Sequence, residues 1–317
     1  MKKVLVTGAG GLVGAQVISF LLTEGKYEVT ALDFKTKNVY NRLKKFKKRI
    51  DIVFGDVNDN AIVDALVKDM DVVIHLASVM PPFANLRDDL SSRIEVDGTK
   101  VIVDAIRNYN KDCFLLYASS TSVYGEHKDS TLLTVKTTSN IDCYDFYSKN
   151  KLECEKYIRK YLDNYAIFRL SYIVGCNKCS SLIYNVNPNC LIEPLLCRDA
   201  SYAFVAAIDK KSKVNKKTFN VTSGEKYRTS YYEYINKVLE SNGISFAFLH
   251  SLLFEDRNLY GGYYGDSDEL DKILHFRCDE ECKVFEPSKC KIMRCIPKLF
   301  AKPFIKSNLK KINRKEC

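Results

Sequence analysis

Three side chains in the middle of the chain have the types and spacing for proton transfer. Ser120 follows the apolar run Cys113–Ala118, which is typical of a buried strand, and Tyr147 and Lys151 lie four residues apart at the start of a helical pattern. Residues at this spacing share one helix face. A tyrosine with a pKa near 10 is a poor base at neutral pH, whereas a nearby lysine cation lowers that pKa by about 1–3 units. We therefore predict that these three residues form a proton shuttle, although the pair alone is unspecific in a chain with 20 Tyr.

A glycine-rich turn near the N-terminus could hold the phosphates of a cofactor. The apolar run Val4–Val6 predicts a strand, three glycines follow at intervals of three residues, and the next apolar residues recur at helical spacing. Glycines at these positions allow a tight turn and a close approach of the backbone to a pyrophosphate. The amides at the start of the helix then face the phosphate charge. The residues predicted to bind the phosphates are Gly8, Gly11, Leu12, Val13 and Gly14.

An acidic residue about 20 positions beyond the glycines indicates which dinucleotide binds. Asp33 ends a second apolar run, Glu28–Leu32, and a carboxylate there can accept a hydrogen bond from a ribose 2′-hydroxyl. Lys35 or Lys37 could instead contact a 2′-phosphate, but Asp33 would repel that group because both are negatively charged. NAD is therefore the favoured cofactor, and NADP is the alternative.

Alternating strand and helix patterns along the chain predict an α/β fold with a doubly wound parallel sheet of the Rossmann type. A long helix is predicted from about Asp88 to Tyr109. Ligands bind at the carboxyl ends of the strands in such sheets, which adds Leu76, Ala77 and Ser78 to the predicted cofactor site. His75, at the same strand end, is predicted to be structural rather than catalytic.

The predicted domains follow from where this pattern weakens. Residues 1–175 are predicted to form the dinucleotide-binding domain. A small C-terminal substrate-binding part is predicted over residues 176–198 and 223–282. Residues 283–317 form a basic, cysteine-containing tail.

Composition and charge argue against several classes of protein. With 46% hydrophobic and 28% charged residues and no run of 18 apolar residues, we expect a cytoplasmic protein without a transmembrane helix. The formal net charge is +10, but residues 283–317 hold eleven Lys and Arg against two Glu and so supply nine of those charges. The rest of the chain therefore gives no indication of nucleic-acid binding.

The tail has a basic amphipathic pattern with several interpretations. Basic residues recur every four positions from Arg294, and apolar residues recur at the same interval from Ile292. Pro297 and Pro303 interrupt the pattern, so one continuous helix is not expected. A docked pair of helices, a disordered solvated tail, and a segment in peripheral contact with an anionic membrane all stay open.

Twelve cysteines are many for a chain of this class. Four of them near the tail could in principle bind zinc, but their gaps match no common zinc pattern, so free thiols and no metal site are expected. These four are Cys278, Cys282, Cys290 and Cys295.

Together, the motifs resemble the extended short-chain dehydrogenase/reductases, in particular the NAD-dependent epimerase/dehydratase family. The turn Thr7–Gly14 resembles the family's cofactor loop, and Ser120 its catalytic Ser/Thr. Tyr147-x-x-x-Lys151 resembles its catalytic pair. Phe219–Gly224 resembles the family segment that returns the chain to the sheet, which implies that residues 199–222 return to the dinucleotide-binding domain. The resemblance is strongest as far as Gly175.

The resemblance implies further cofactor contacts and a mechanism. Asp33 and Asp56 would contact the cofactor's ribose and adenine, with Val57 beside them. Tyr147 would move a proton to or from a sugar hydroxyl while NAD takes or gives a hydride. The lysine would hold the nicotinamide ribose and lower the pKa of the tyrosine, and the serine would orient the reacting oxygen. Typical substrates of the family are nucleotide-linked sugars, and its members often form homodimers.

Several residues depart from the family's pattern. Thr121 and Ser122 replace the Asp-Glu of the 4,6-dehydratases, so dehydration would lack its acid and base. Glu95 replaces a usual Asn, which would alter the backbone near the nicotinamide, and Met80 stands near where some epimerases place a cofactor-binding Lys. The span Gly175–Asp199, where the family builds much of its substrate pocket, is short.

These observations favour an NAD-dependent oxidoreductase or epimerase that acts on a nucleotide-linked sugar. The first alternative is a carbonyl reductase for a smaller, non-nucleotide substrate, which the short span Gly175–Asp199 motivates. The second is a non-catalytic scaffold that binds the cofactor. A homodimer is expected by resemblance alone.

Overall fold

In the described part of the chain, seven parallel strands form one central sheet. The computed structural model describes residues 1–81, 83–127, 132–175, 187, 189–241 and 261–278. The strands of the described residues, including four short ones outside the central sheet, are β1 (Lys2–Thr7), β2 (Tyr27–Asp33), β3 (Asp51–Phe54), β4 (Val72–His75), β5 (Phe114–Ser120), β6 (Tyr165–Leu170), β7 (Ile173–Val174), β8 (Leu191–Ile192), β9 (Leu195–Leu196), β10 (Lys217–Val221) and β11 (Thr229–Ser230). The order across the sheet is β10-β6-β5-β4-β1-β2-β3. This confirms the predicted α/β fold.

Helices cover both faces of the sheet. They are α1 (Leu12–Glu24), α2 (Lys37–Leu43), α3 (Asn60–Val67), α4 (Phe83–Leu86), α5 (Asp88–Ser92), α6 (Gly98–Tyr109), α7 (Phe146–Tyr161), α8 (Cys197–Ile208), α9 (Lys211–Val214), α10 (Tyr231–Ser241) and α11 (Asp268–Leu274). Buried residues of α1, α8 and α11 pack on one face, and those of α3, α6 and α7 pack on the other.

Each central strand contains an apolar run because both of its faces are buried there. Val4 and Val6 of β1 pack with α1 and α8, whereas Leu5 between them packs with α3 and α6. The side chains of a strand alternate between the two faces of the sheet, so a doubly covered strand needs an unbroken apolar run.

Successive strands are added first on one side of β1 and then on the other, although all of them run parallel. From β1 the chain builds outward through β2 and β3, and then returns to the other side of β1 with β4, β5 and β6. The carboxyl ends of β1 and β4 therefore flank a switch point, which is where open parallel sheets bind their ligands.

The single long helix predicted from Asp88 to Tyr109 is interrupted. Between α5 and α6 the residues Arg93–Asp97 form a π-helical turn, in which the Gly98 amide donates to the Arg93 carbonyl oxygen five residues earlier. The turn buries a carboxylate, that of Glu95, on the inner side of the helix. Apolar periodicity cannot reveal such a turn because its critical inward residue is charged.

A smaller part beyond the sheet is held together around another buried carboxylate. β7 pairs with β9, and β8 pairs with β11. Glu193, between β8 and β9, accepts hydrogen bonds from the Thr222 hydroxyl at 2.5 Å, the Arg228 Nε at 3.0 Å and the Tyr264 amide at 3.1 Å.

Most of residues 176–188 and the whole basic tail 283–317 lie outside the described residues, as do Cys282, Cys290 and Cys295. None of the described helices is long and apolar enough to cross a lipid bilayer.

A buried ion pair connects α7 to β6. Arg169 contacts the fully buried Glu155 through Nε at 2.9 Å and Nη2 at 2.7 Å, and Arg159 adds a third contact at 2.6 Å. The Ser119 hydroxyl donates to the same carboxylate at 2.6 Å. Burial alone would raise the pKa of Glu155, but Arg169 holds it below its ordinary value.

We expect Glu155→Ala to lower the free energy of unfolding by about 3–5 kcal/mol, because it leaves the Arg169 charge buried without its partner. Glu153→Ala on the same helix is the matched control, since Glu153 forms an exposed pair with Lys100 and its loss should cost less than about 1 kcal/mol. Urea unfolding followed by circular dichroism measures both. Equal costs for the two variants would contradict the structural role of Glu155.

Candidate active site

The junction of β1 and α1 is packed so closely that one glycine in the turn and one in the first turn of α1 have no room for a Cβ. Gly8 has a φ of +63°, and a Cβ there would lie 2.6 Å from the Leu76 carbonyl oxygen. A Cβ on Gly14 would lie 2.4 Å from the Gly8 carbonyl oxygen. The Gly11 amide donates to that same oxygen at 2.9 Å. The glycines therefore let the turn pack directly against the segment that follows β4.

The N-terminus of α1 lies next to the carboxyl end of β1. Gly11 is its N-cap, no side chain of the described residues caps it, and its first turn carries no acidic residue. Leu12, the first helical residue, is half exposed. The amides of Leu12, Val13 and Gly14 are thus placed to receive an anion such as a phosphate.

Asp33, at the end of β2, holds the glycine turn from its outer side. Its carboxylate accepts hydrogen bonds from the Gly10 and Phe34 amides, both at 2.7 Å. Arg42 of α2 donates to the Gly10 carbonyl oxygen at 2.8 Å. Burial raises the pKa of Asp33, and the two amides partly oppose this. The acid lies at the turn, as its spacing predicts, while the contact from Arg42 was not predicted.

Asp56, just beyond β3, is paired with a residue that is distant in sequence. Arg93 donates from Nη2 to Asp56 Oδ2 at 2.5 Å, and the Asn58 amide donates to Oδ1 at 2.9 Å. Val57 is buried so close to Gly98 of α6 that a Cβ on Gly98 would lie 2.6 Å from Val57 Cγ1. Both predicted residues therefore lie just beyond the carboxyl end of β3, but Asp56 already has a cation as a partner.

The segment after β4 is held by the last residue of β1. The Thr7 hydroxyl oxygen accepts hydrogen bonds from the Leu76 amide at 3.2 Å and the Ala77 amide at 3.3 Å. These contacts place Leu76, Ala77 and Ser78 beside the glycine turn, where the sequence predicts them.

The buried His75 ring contacts the side chains of two threonines. Its Nδ1 lies 2.6 Å from Thr7 Oγ1, and its Nε2 lies 3.1 Å from Thr99 Oγ1. Burial lowers the pKa of His75 to about 3, and the charge of Lys151 contributes in the same direction. A neutral ring with both nitrogens hydrogen-bonded favours the predicted structural role.

Ser120, Tyr147 and Lys151 come together at the end of β5. Tyr147 and Lys151 lie on the first two turns of α7 and are both buried. The Ser120 side chain is near enough to the Tyr147 hydroxyl to lower its pKa, and the Lys151 ammonium lies 5.8 Å from the centre of the Tyr147 ring. Met80 Sδ lies 3.8 Å from the same hydroxyl, and Asn85 Oδ1 accepts from the Tyr147 amide at 3.0 Å. Asn85 is a contact that the sequence did not predict.

Lys151 is paired with a buried carboxylate. Its ammonium lies 2.7 Å from Glu95 Oε1 and donates to the Ala118 carbonyl oxygen, also at 2.7 Å. Glu95 Oε2 accepts from the Ser78 hydroxyl at 2.5 Å, and Oε1 accepts from the Tyr117 hydroxyl at 2.8 Å. The sequence predicted an altered backbone at Glu95, and the structure has a π-helical turn there. The contact of its side chain with the lysine was not predicted.

The pKa of Tyr147 is above its ordinary value. Burial raises this pKa, the Lys151 cation lowers it, and the Glu95 carboxylate raises it again. Lys151 thus acts in the predicted direction, but the predicted net lowering is wrong here because burial and the carboxylate outweigh the cation. Burial would lower the pKa of Lys151 itself, but Glu95 raises it above its ordinary value.

The sequence matches one family model over most of this fold. The model of the NAD dependent epimerase/dehydratase family covers residues 4–190, which is more than half of the chain. The chain belongs to this family. Membership confirms the resemblance that the glycine turn and the Ser, Tyr and Lys motifs indicate.

Two curated relatives each match about half of the chain. A putative UDP-glucose 4-epimerase of Methanocaldococcus jannaschii is 30% identical over 182 residues, which is 54% of this chain and 56% of that protein. A dTDP-glucose 4,6-dehydratase of Mycolicibacterium smegmatis is 29% identical over 170 residues, or 52% of this chain and 50% of that protein. The chain therefore spans about half the length of these family members.

Solved structures share the fold over almost the whole chain. A UDP-glucuronic acid 4-epimerase from Bacillus cereus, in complex with UDP-glucuronic acid and NAD, superposes with a TM-score of 0.72 at 18% identity, covering 89% of this chain and 95% of that one. A dTDP-glucose 4,6-dehydratase from Bacillus anthracis, in complex with NAD, gives a TM-score of 0.75 at 15% identity, covering 92% and 97%. At these identities the likeness concerns the fold alone.

We expect His75 to make the stability of this family member fall as the pH decreases from about 6.5 towards 3. In that range the unfolded chain binds a proton on His75 that the folded protein does not, so the free energy of unfolding drops by up to about 1.4 kcal/mol per pH unit. His75→Gln should show a smaller slope between pH 7 and pH 5 in urea unfolding. His275→Gln, which changes an exposed histidine, should keep the slope of the parent protein. The same slope in all three proteins would rule out this role.

Proposed function

We propose that this protein is an NAD-dependent epimerase or reductase that acts on a nucleotide-linked sugar. The observation that carries the proposal is the convergence of Ser120, Tyr147 and Lys151 at the sheet edge that also holds the glycine turn. A proton-transferring hydroxyl beside a dinucleotide site is the arrangement needed for reversible oxidation of an alcohol.

The glycine turn fits the dinucleotide that the family's name specifies. Gly8 and Gly14 leave no room for a Cβ, so the backbone can approach a pyrophosphate closely. The uncapped N-terminus of α1 faces that position, and Asp33 lies where a ribose hydroxyl would bind. NAD bound here would supply the acceptor or donor of a hydride, and the negative charge of Asp33 favours NAD over NADP. Solved structures with this fold carry NAD.

The chain's own residues would handle the proton and the substrate oxygen. Tyr147 would accept a proton from a sugar hydroxyl in the oxidising direction and return it in the reducing direction. Ser120, whose side chain lowers the pKa of Tyr147 from the end of β5, would hydrogen-bond the same substrate oxygen. Lys151 would keep a positive charge next to the tyrosine ring when the phenolate forms.

The residues beyond β5 favour epimerisation or reduction over dehydration. Thr121 is buried, and the buried Ser122 hydroxyl has no hydrogen-bond partner among the described residues. Neither side chain ionises at neutral pH, so this segment offers no acid and base for the elimination of water. The relative named as a 4-epimerase is therefore a better guide to the reaction than the relative named as a 4,6-dehydratase.

The experiment that tests the proposal starts from whatever nucleotide remains bound to the purified protein. Mass spectrometry and absorbance identify it, and the protein is then mixed with a panel of UDP-, dTDP- and GDP-sugars. We expect NAD, with a transient absorbance of the reduced cofactor on adding one of the sugars. A cofactor retained through turnover indicates an epimerase, and an exchanging cofactor indicates a reductase.

Other outcomes separate the alternatives. Reduction of small carbonyl compounds without any response to sugar nucleotides would replace the proposed substrate class with the smaller one. Binding of NADP alone would overturn the cofactor assignment. Binding of NAD without turnover of any substrate would leave the non-catalytic scaffold.

We expect Tyr147→Phe to lower kcat by about 10²- to 10⁴-fold, because it removes the hydroxyl that transfers the proton. Affinity for NAD should change little, since the change removes one oxygen and leaves the ring. Tyr157→Phe is the matched control, because Tyr157 lies on the same helix with its hydroxyl bonded to Asp104 at 3.0 Å, away from the site. A Tyr147→Phe protein with normal kcat would exclude Tyr147 as the proton-transferring group.

A further inference from the structure

The carboxylate of Glu95 is the group next to Lys151 that the proposed mechanism does not use. Glu95 is almost fully buried and receives hydrogen bonds from side chains of three elements: Ser78 after β4, Tyr117 on β5 and Lys151 on α7. The Thr99 hydroxyl donates to its main-chain carbonyl oxygen at 2.5 Å. The carboxylate is therefore fixed in place by its surroundings.

This arrangement makes the charge beside Tyr147 close to zero. One ammonium and one carboxylate lie 2.7 Å apart, and both are buried with little access for water to screen them. Without the carboxylate, the tyrosine would lie next to a bare cation, which is the arrangement that stabilises a phenolate. With it, the attraction between phenolate and lysine is opposed by the repulsion between phenolate and carboxylate.

We propose that Glu95 is a positioning residue that neutralises Lys151 and thereby keeps Tyr147 protonated until a substrate oxygen is present. The inference extends the proposed function, since it concerns the group that would move the proton there. Its chemical consequence is that the resting site holds a proton donor, suited to a carbonyl oxygen, rather than a preformed base.

The other ionisable groups in this region do not supply the same effect. The titratable and charged side chains that act on the Tyr147–Lys151 pair are those of Glu95, Asp145, Cys154, Tyr117 and His75. Asp145 is the N-cap of α7 and accepts from the Ser148 amide, and its effect on Tyr147 is weaker than that of Glu95. Burial holds the Cys154 thiol and the Tyr117 hydroxyl in their neutral forms by raising their pKa values.

The test reads the protonation of Tyr147 directly. The full-length protein is labelled with ¹³C at the tyrosine ring Cζ, and the Tyr147 signal is assigned as the one missing from Tyr147→Phe. Titration with pH then gives the midpoint for this residue in the parent protein and in Glu95→Gln, which has nearly the same shape without the charge. We expect the midpoint to fall by about one unit or more in Glu95→Gln.

Two controls separate the charge from other effects. Glu153→Gln removes a carboxylate from the same helix as Tyr147, but an exposed one, and should leave the midpoint unchanged. Glu95→Asp keeps the charge, so its Tyr147 midpoint should stay above that of Glu95→Gln. If Glu95→Gln does not fold, Glu95→Asn, the residue usual in the family, takes its place. An unchanged midpoint in the neutral variant, or an equal fall in Glu95→Asp, would overturn the inference.

The titration needs neither substrate nor turnover, so its result is independent of the sugar-nucleotide assay. A lowered midpoint with no active sugar nucleotide would refute the proposed substrate class but leave the role of Glu95 intact. Turnover of a sugar nucleotide with an unchanged midpoint would support the proposed substrate class and refute the role of Glu95. Once a substrate is known, the acid limb of the pH profile of kcat/KM for alcohol oxidation should move to lower pH in Glu95→Gln, by the same amount as the midpoint.

Discussion

A lysine ammonium buried away from water is the constraint on which the centre of this molecule depends. Lys151 cannot carry its charge there without compensation, because an unpaired buried ion costs several kcal/mol. Glu95 and the Ala118 carbonyl oxygen supply the compensation, and Ser78 and Tyr117 in turn satisfy Glu95. One charge thus fixes the positions of the segment after β4, the end of β5, the π-helical turn and α7.

The sequence predicts the local parts of this design well. The glycine turn, Asp33 and the pair Tyr147 and Lys151 depend on short spacings, and the strands are recognisable because burial on both faces requires unbroken apolar runs. The α/β sheet could therefore be derived from the sequence. The return of β10 to the edge of the sheet is visible only through resemblance, because β10 is short and has no glycine signature.

The contacts that decide the electrostatics could not be predicted in this way. Arg93 pairs with Asp56, Arg42 with Gly10, and Glu95 with Lys151, over separations that follow from the tertiary fold and not from any period. A charged residue within a helical pattern is ordinarily read as exposed, so a buried Glu gives no signal by itself. The predicted fall in the pKa of Tyr147 is wrong because burial of the tyrosine, and after it the Glu95 carboxylate, raises this pKa, and neither follows from residue spacing.

The π-helical turn has a consequence for the history of the chain. It contains one more residue per turn than the α-helix on either side, so a single inserted codon is enough to create it. Removing one residue between 93 and 97 would return this segment to α-helical hydrogen bonding and abolish the wider turn on which Glu95 is buried. Alignments of this chain with α-helical relatives should therefore open a one-residue gap here, and without it each position before the gap is compared with the wrong neighbour.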